Sequence, residues 1–139
     1  LLKPDMLQED LPYLATPHDG ELEALCRAFA VVASGRQSRA QALAKASGMV
    51  VLAKGPDTLV ASPDGRLSLA PPAPSWLSVA GTGDVLAGIA ASRMAAGQDA
   101  FETACETAWL HGEAARHCGP AFTADDLALA VSGAIATSL

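Results

Sequence analysis

Apolar positions along this chain change period several times, and each change marks an element. Leu22, Leu25, Cys26 and Phe29 recur at the i, i+3, i+4, i+7 spacing of one helix face. Asp19 and Glu21 stand where acids favour a helix N-terminus, just after a break at Thr16-Pro17-His18. A short apolar run from Tyr13 to Ala15 before that break reads as a strand. The segment from Arg36 to Ser47 reads as a second helix with Gly48 as its C-cap. Met49 to Ala53 is apolar without alternation, the pattern of a strand buried on both faces of a parallel sheet. Two short strands then flank the turn triplet Pro63-Asp64-Gly65.

From Thr82 onward the period is helical. Val85, Leu86, Ile89 and Met94 form one face that ends at Gly97, and Phe101, Cys105, Ala108 and Trp109 form the next. Thr123, with Asp126 three residues on, opens a last helix as a capping-box variant. Its expected buried stripe is Leu127, Val131, Ala134 and Ile135. The order β-α-α-β-β-β-α-α-α predicts an α/β fold with part of the sheet parallel.

Composition narrows the function classes. Aromatics are only 4% of the 139 residues, so the core must be built from Ala, Val and Leu on closely packed elements. A net charge of -6 and the absence of a Lys/Arg cluster argue against nucleic-acid binding. No run reaches membrane-spanning length, which argues against a membrane partner. The three cysteines, Cys26, Cys105 and Cys118, form no CxxC pair and point to a reducing compartment, hence a cytoplasmic location.

Candidate chemistry concentrates in Gly81-Thr82-Gly83-Asp84, at the start of a helical pattern where backbone N–H groups can hold an anion. The dinucleotide fingerprint fails, because its sixth position is Leu86 rather than glycine. A P-loop fails, because Asp84 and Val85 stand where it needs Lys and Ser/Thr. A third reading fits the residues. The glycine N–H groups stabilise a phosphoryl group in transfer, and Asp84 accepts the proton of the acceptor hydroxyl beside it. The plain alternative is a tight glycine turn followed by a favourable first-turn acid. His111 and His117, six apart, fall on different helix faces, so no shared metal site is expected, and both read as structural or surface residues.

GTGD followed by VLAG resembles the anion-hole motif of the ribokinase-like superfamily. The longer GTGDVLAG is most similar to the ADP- or ATP-dependent NAD(P)H-hydrate dehydratases, the C-terminal domain type of the YjeF proteins. The Thr16–Glu21 segment (TPHDGE) resembles that family's TPHxGE, and Val50–Gly65 resembles its strand, Lys-Gly-x-x-Thr loop and hairpin. Trp109–Ala115 resembles a later helix of the family. The resemblance implies the C-terminal part of a ribokinase-like three-layer α/β/α domain, with a mostly parallel sheet and a β-hairpin. Residues 1–139 would form one partial domain whose N-terminal half is absent.

The activity implied is metabolite repair: phosphorylation of the hydroxyl of NAD(P)H hydrate (NAD(P)HX), then loss of phosphate to regenerate NAD(P)H. Carried onto this chain, the resemblance gives Asp84 as the base touching the hydrate hydroxyl and Gly81, Thr82 and Gly83 as the anion hole. Lys54, Gly55, Pro56, Asp57 and Thr58, with Gly83, would bind the adenine nucleotide, and His18 would contact the hydrated cofactor. ADP or ATP is the implied co-substrate, with Mg²⁺ riding on its phosphates and no dedicated metal site. The resemblance and the Ala-rich helices imply a homo-oligomer, a tetramer. At Asp19 the chain departs from the family, which often has Pro there; the departure would set a negative charge beside the substrate site. Two other functions share these residues: a ribokinase-like kinase that phosphorylates a small alcohol such as a sugar or vitamin precursor, and an inactive nucleotide-binding fragment.

Overall fold

The computed structural model describes residues 2–138. Its elements follow the predicted order: β1 (Leu14–Ala15), α1 (Asp19–Ala28), α2 (Arg36–Ser47), β2 (Val50–Ala53), β3 (Leu59–Ala61), β4 (Leu67–Leu69), α3 (Thr82–Ala95), α4 (Ala100–Cys118) and α5 (Ala124–Ser138). Two short 3-10 turns, Pro4–Met6 and Ser75–Leu77, complete it.

The four strands form one sheet in the order β1-β2-β3-β4. β1 and β2 are parallel, with Leu14 beside Val50, and α1 and α2 form the crossover between them. The hairpin makes the remaining pairings antiparallel, Val51 opposite Ala61 and Leu59 opposite Leu69. The sheet over the described residues is therefore mixed. The parallel character expected of it resides in β1–β2, because a two-strand connection as short as residues 54–58 reverses the chain.

β2 is buried on both faces, as its unbroken apolar run predicts. Val51 and Ala53 meet Leu22, Leu25, Leu43 and Ala44 of α1 and α2. Val50 and Leu52 face the other way, onto Leu86 of α3 and Phe101 and Ala104 of α4. Helices thus cover both faces of the sheet in three layers. α5 joins α3 and α4 through Ile89, Leu110, Ala114, Leu127 and Ala134. The helix ends match their sequence signals. Gly48 closes α2 in the left-handed region at φ +75°. Thr123 and Asp126 exchange side-chain-to-backbone bonds of 2.8 and 3.2 Å at the start of α5.

α4 departs from expectation. Phe101 is buried, but Cys105, Ala108 and Trp109 are only half-buried, and the fully enclosed face carries Thr103, Ala104, Thr107, Leu110, Ala114 and Ala115. Small and hydroxyl side chains let α4 approach both the sheet and α5, so burial follows close packing rather than the largest apolar residues.

Candidate active site

The site is built at the C-terminal ends of the two parallel strands, where open α/β sheets place their ligands. The Lys54 N–H donates to the Pro17 carbonyl at 2.8 Å, so the turn after β1 and the loop after β2 run side by side. His18 heads α1 as its N-cap. Its Nδ1 accepts from the N–H groups of Gly20 and Glu21 at 3.1 and 3.3 Å, and Glu21 accepts from the His18 N–H at 2.9 Å. Nδ1 is therefore an acceptor, and the ring proton sits on Nε2, 3.4 Å from Glu21 Oε1. The loop after β2 is closed by Thr58, whose hydroxyl donates to the Gly55 carbonyl at 3.0 Å.

Arg36 ties these two segments together. It clasps Asp19 with bonds of 2.7 and 2.8 Å and donates to the Asp57 carbonyl at 3.2 Å. Its guanidinium lies against Gly55, where any Cβ would collide with it. The Asp19 carboxylate is thus not a free charge beside the site. The hydrogen-bonded Arg36 neutralises it and holds it below the usual carboxylate range.

Gly81 initiates α3 from the left-handed region at φ +86°, and a Cβ there would lie 2.9 Å from the Ala124 Cβ. Glycine is required at this position on both counts. Thr82 is buried and stitches the turn, with its hydroxyl 2.9 Å from the Leu77 carbonyl and 2.8 Å from that of Val79. The N–H groups of Thr82, Asp84 and Val85 are bonded to the carbonyls of Val79 and Gly81. Among the described residues Gly83 N–H has no partner, which leaves it free for an anion. Lys54 reaches the same place: a Cβ on Gly83 would lie 3.2 Å from its Nζ.

These groups surround a cavity of about 470 Å³ lined by His18, Lys54, Gly55, Pro56, Thr58, Thr82 and Gly83, together with Ala73–Ser75, Leu77, Ser78, Leu86 and His111. None of the lining residues is Asp or Glu. A lysine, a helix N-terminus and a free N–H converge on it in a chain of net charge -6. Of the predicted site residues, Gly81, Asp57 and Asp84 do not line it. Gly81 shapes the turn before α3, and the Asp57 carbonyl accepts from Arg36. Asp84 is exposed, next in sequence to Gly83, and among the described residues its carboxylate has no hydrogen-bond or ion-pair partner. No group of three or more His, Cys, Asp or Glu able to hold a metal occurs among the described residues.

His111 takes the structural one of its two sequence readings, and its place at the cavity is new. It is 6% exposed, lines the cavity, and its Nε2 lies 2.8 Å from the Thr82 carbonyl. Burial pushes its pKa down, the Thr82 hydrogen bond opposes this, and the Lys54 cation adds to the lowering. No local signal marks it, because its partner is 29 residues away. The Ala73–Ser78 wall carries no motif either, and sequence reasoning missed it. It is pinned to α4 by Arg116, which donates to the Pro72 carbonyl at 2.7 Å.

Fold and site together define an α/β protein with a carboxylate-free, lysine-bearing cavity at the ends of its parallel strands. The fold is shared with a ribokinase of Arabidopsis thaliana solved with ribose and ATP (TM-score 0.52, 16% identity, 86% of this chain and 40% of that one). The NAD(P)H-hydrate dehydratase family model matches residues 3–136, and the chain belongs to that family. It is 41% identical over 103 residues to the ADP-dependent (S)-NAD(P)H-hydrate dehydratase of Neisseria meningitidis, covering 73% of this chain and 35% of that protein. It is also similar to the ADP/ATP-dependent NAD(P)H-hydrate dehydratase of Bacillus subtilis co-crystallised with ATP/Mg²⁺ (TM-score 0.77, 25% identity, 94% of this chain and 50% of that one). The chain therefore spans about a third to a half of the length of these relatives.

Proposed function

We propose that this protein regenerates NADH and NADPH from their hydrates, with ADP or ATP as phosphoryl donor. The observation that carries the reading is the carboxylate-free cavity on which Lys54 and the free Gly83 N–H converge. It suits the terminal phosphate of a nucleotide. Lys54 would neutralise charge as it builds on the transferring group, and Gly83 N–H would hold one equatorial oxygen. Gly55, Pro56 and Thr58 would receive the nucleotide beyond, with Asp57 shaping that loop through Arg36.

Asp84, one residue past Gly83, would take the proton of the hydrate hydroxyl as its oxygen attacks phosphorus. The bond from phosphorus to the nucleotide's bridging oxygen breaks, and a phosphate ester forms on the hydrate. A proton then leaves the neighbouring carbon, the ring C–O bond breaks with release of phosphate, and the double bond of NAD(P)H returns. Phosphorylation thus turns a poor leaving group into a good one. His18, with its ring proton on Nε2, would donate to the hydrated cofactor from the side facing α1. Mg²⁺ would enter on the nucleotide phosphates, since the lining offers no carboxylate to hold it.

The reaction is proposed to run in the cytoplasm, a reading supported by the free cysteines Cys26, Cys105 and Cys118. Among the described residues no helix is long and apolar enough to cross a membrane. A homo-tetramer is proposed on the family resemblance and the Ala-rich helices. Phosphorus NMR of the reaction tests the chemistry. Inorganic phosphate must appear in step with NADH; a stable phosphate ester that persists at full turnover would instead make the protein a small-alcohol kinase.

A further inference from the structure

We infer that His111 is a positioning residue for the anion hole: by holding the Thr82 carbonyl it steadies the direction of Gly83 N–H. The Thr82 carbonyl and the Gly83 N–H belong to one planar trans peptide and point in opposite directions. A group that fixes the carbonyl therefore fixes the N–H. His111 Nε2 lies 2.8 Å from that carbonyl, and a carbonyl only accepts, so Nε2 carries the proton. Both residues are buried, His111 at 6% and Thr82 at 7% exposure, which strengthens the bond relative to one in open water.

Among the described residues, no other side chain from outside α3 holds this peptide. The Thr82 hydroxyl bonds back to Leu77 and Val79, and the neighbouring N–H groups bond to Val79 and Gly81. Those bonds set where the helix starts. The bond from α4 joins the helix's own bond on the Thr82 carbonyl and, as the one side-chain hold on it from another element among the described residues, steadies how the Thr82–Gly83 plane is turned toward the cavity. It also links the anion hole to α4, the helix that packs on the sheet through Phe101 and Ala104. The ionisable groups that share the cavity with His111 are Lys54 and His18. A second cation on His111 would face Lys54, and the neutral ring avoids that.

This role deepens the anion-hole assignment of Gly83 and rests on it. The test combines NMR and kinetics on the wild-type protein and the His111→Gln, His111→Asn and His111→Leu variants. Gln places an amide N–H near the position of Nε2; Asn places it too short to reach Thr82. Proton–nitrogen correlation of the ring should show a neutral His111 protonated on Nε2 at neutral pH. Titration with Mg²⁺-ADP should shift the Gly83 amide in wild type and His111→Gln, and much less in His111→Asn and His111→Leu. Turnover of NADH hydrate should fall on the order of 10- to 100-fold in kcat for Asn and Leu, with KM changed much less, and Gln should recover most of the rate. Thermal unfolding identifies any variant that has lost its fold; the Gln/Asn pair, matched in polarity, still decides the matter if the Leu variant has. An Nδ1-protonated ring, or Asn responding to ADP and turning over like wild type, overturns the inference. A wild-type protein that recovers no NADH yet shows the His111-dependent Gly83 response overturns the dehydratase reading and leaves this one standing.

Discussion

The ammonium of Lys54 and the α-carbon of Gly83 are in close approach across the cavity, so that a methyl group at position 83 would meet Nζ at 3.2 Å. A lysine is electrostatically misplaced at a helix N-terminus unless an anion joins the pair. The approach therefore supports the proposed binding role and adds no stabilising contact of its own. Lys54→Met should weaken ADP and ATP binding by about one to two orders of magnitude, the worth of a charged hydrogen bond, with little loss of fold stability. Calorimetric titration checks the first part and denaturant unfolding the second. Gly83→Ala should weaken binding less, because the flexible end of Lys54 can yield by a few tenths of an ångström.

Gly81 should behave differently from Gly83. Its φ of +86° opposes any substitution, and so does the Ala124 methyl, 2.9 Å from where a Cβ would sit. Gly81→Ala should cost about 1–3 kcal/mol of stability in urea unfolding, with nucleotide binding falling in proportion to the turn's distortion. An alanine variant as stable as the parent would contradict the conformation assigned to this turn.

Much of this was legible because the signals were local. The capping pair Thr123/Asp126, the Gly48 cap and the unbroken run Val50–Ala53 are each decided by neighbours in sequence. The pairing of His18 with Lys54 was legible only as two motifs, and their adjacency needed the parallel β1–β2 register that joins Pro17 to Lys54. The place of His111 at the cavity was not legible. A lone histidine on a helix carries no period, and its burial comes from the meeting of α3 with α4. His18 as a helix cap was missed for a chemical reason: imidazole is an uncommon substitute for the Ser, Thr, Asp or Asn usually found there. Asp19 read as a charge at the site because its partner, Arg36, is 17 residues away.

Arg36 gives a further prediction. Arg36→Met removes the clasp that joins Asp19 to the Asp57 carbonyl and leaves Gly55 without its cover. Amide hydrogen exchange across residues 54–58 should speed up, and the KM for nucleotide should rise several-fold with a smaller change in kcat. Unchanged exchange in that loop would mean that Thr58 alone holds it.

The pH dependence of stability follows from His111. Its folded pKa lies below the ordinary value of 6.5, so between the two the unfolded chain binds a proton that the folded chain does not. Stability should therefore be fully present above about pH 6.5 and decline as pH falls toward the folded value. His111→Gln should flatten that decline. Asp19, Asp64, Asp99 and Asp126, all held below 3.8, act in a separate, more acid window: their contribution is present above the unfolded value and lost as pH falls through the folded one. Urea unfolding of both proteins from pH 4.5 to 8 reads the difference.

Asp84, beside the free Gly83 N–H, is proposed to remove the proton from a hydrate hydroxyl that a nucleotide phosphorylates. The direct measurement is absorbance of reduced nicotinamide after NADH hydrate, Mg²⁺ and either ADP or ATP are supplied to the protein and to Asp84→Asn. We expect NADH recovery with a nucleotide and none without it, and a loss of at least about two orders of magnitude in the variant. Folded protein that recovers no NADH with either nucleotide, or an Asp84→Asn variant that works as well as the parent, would contradict that role.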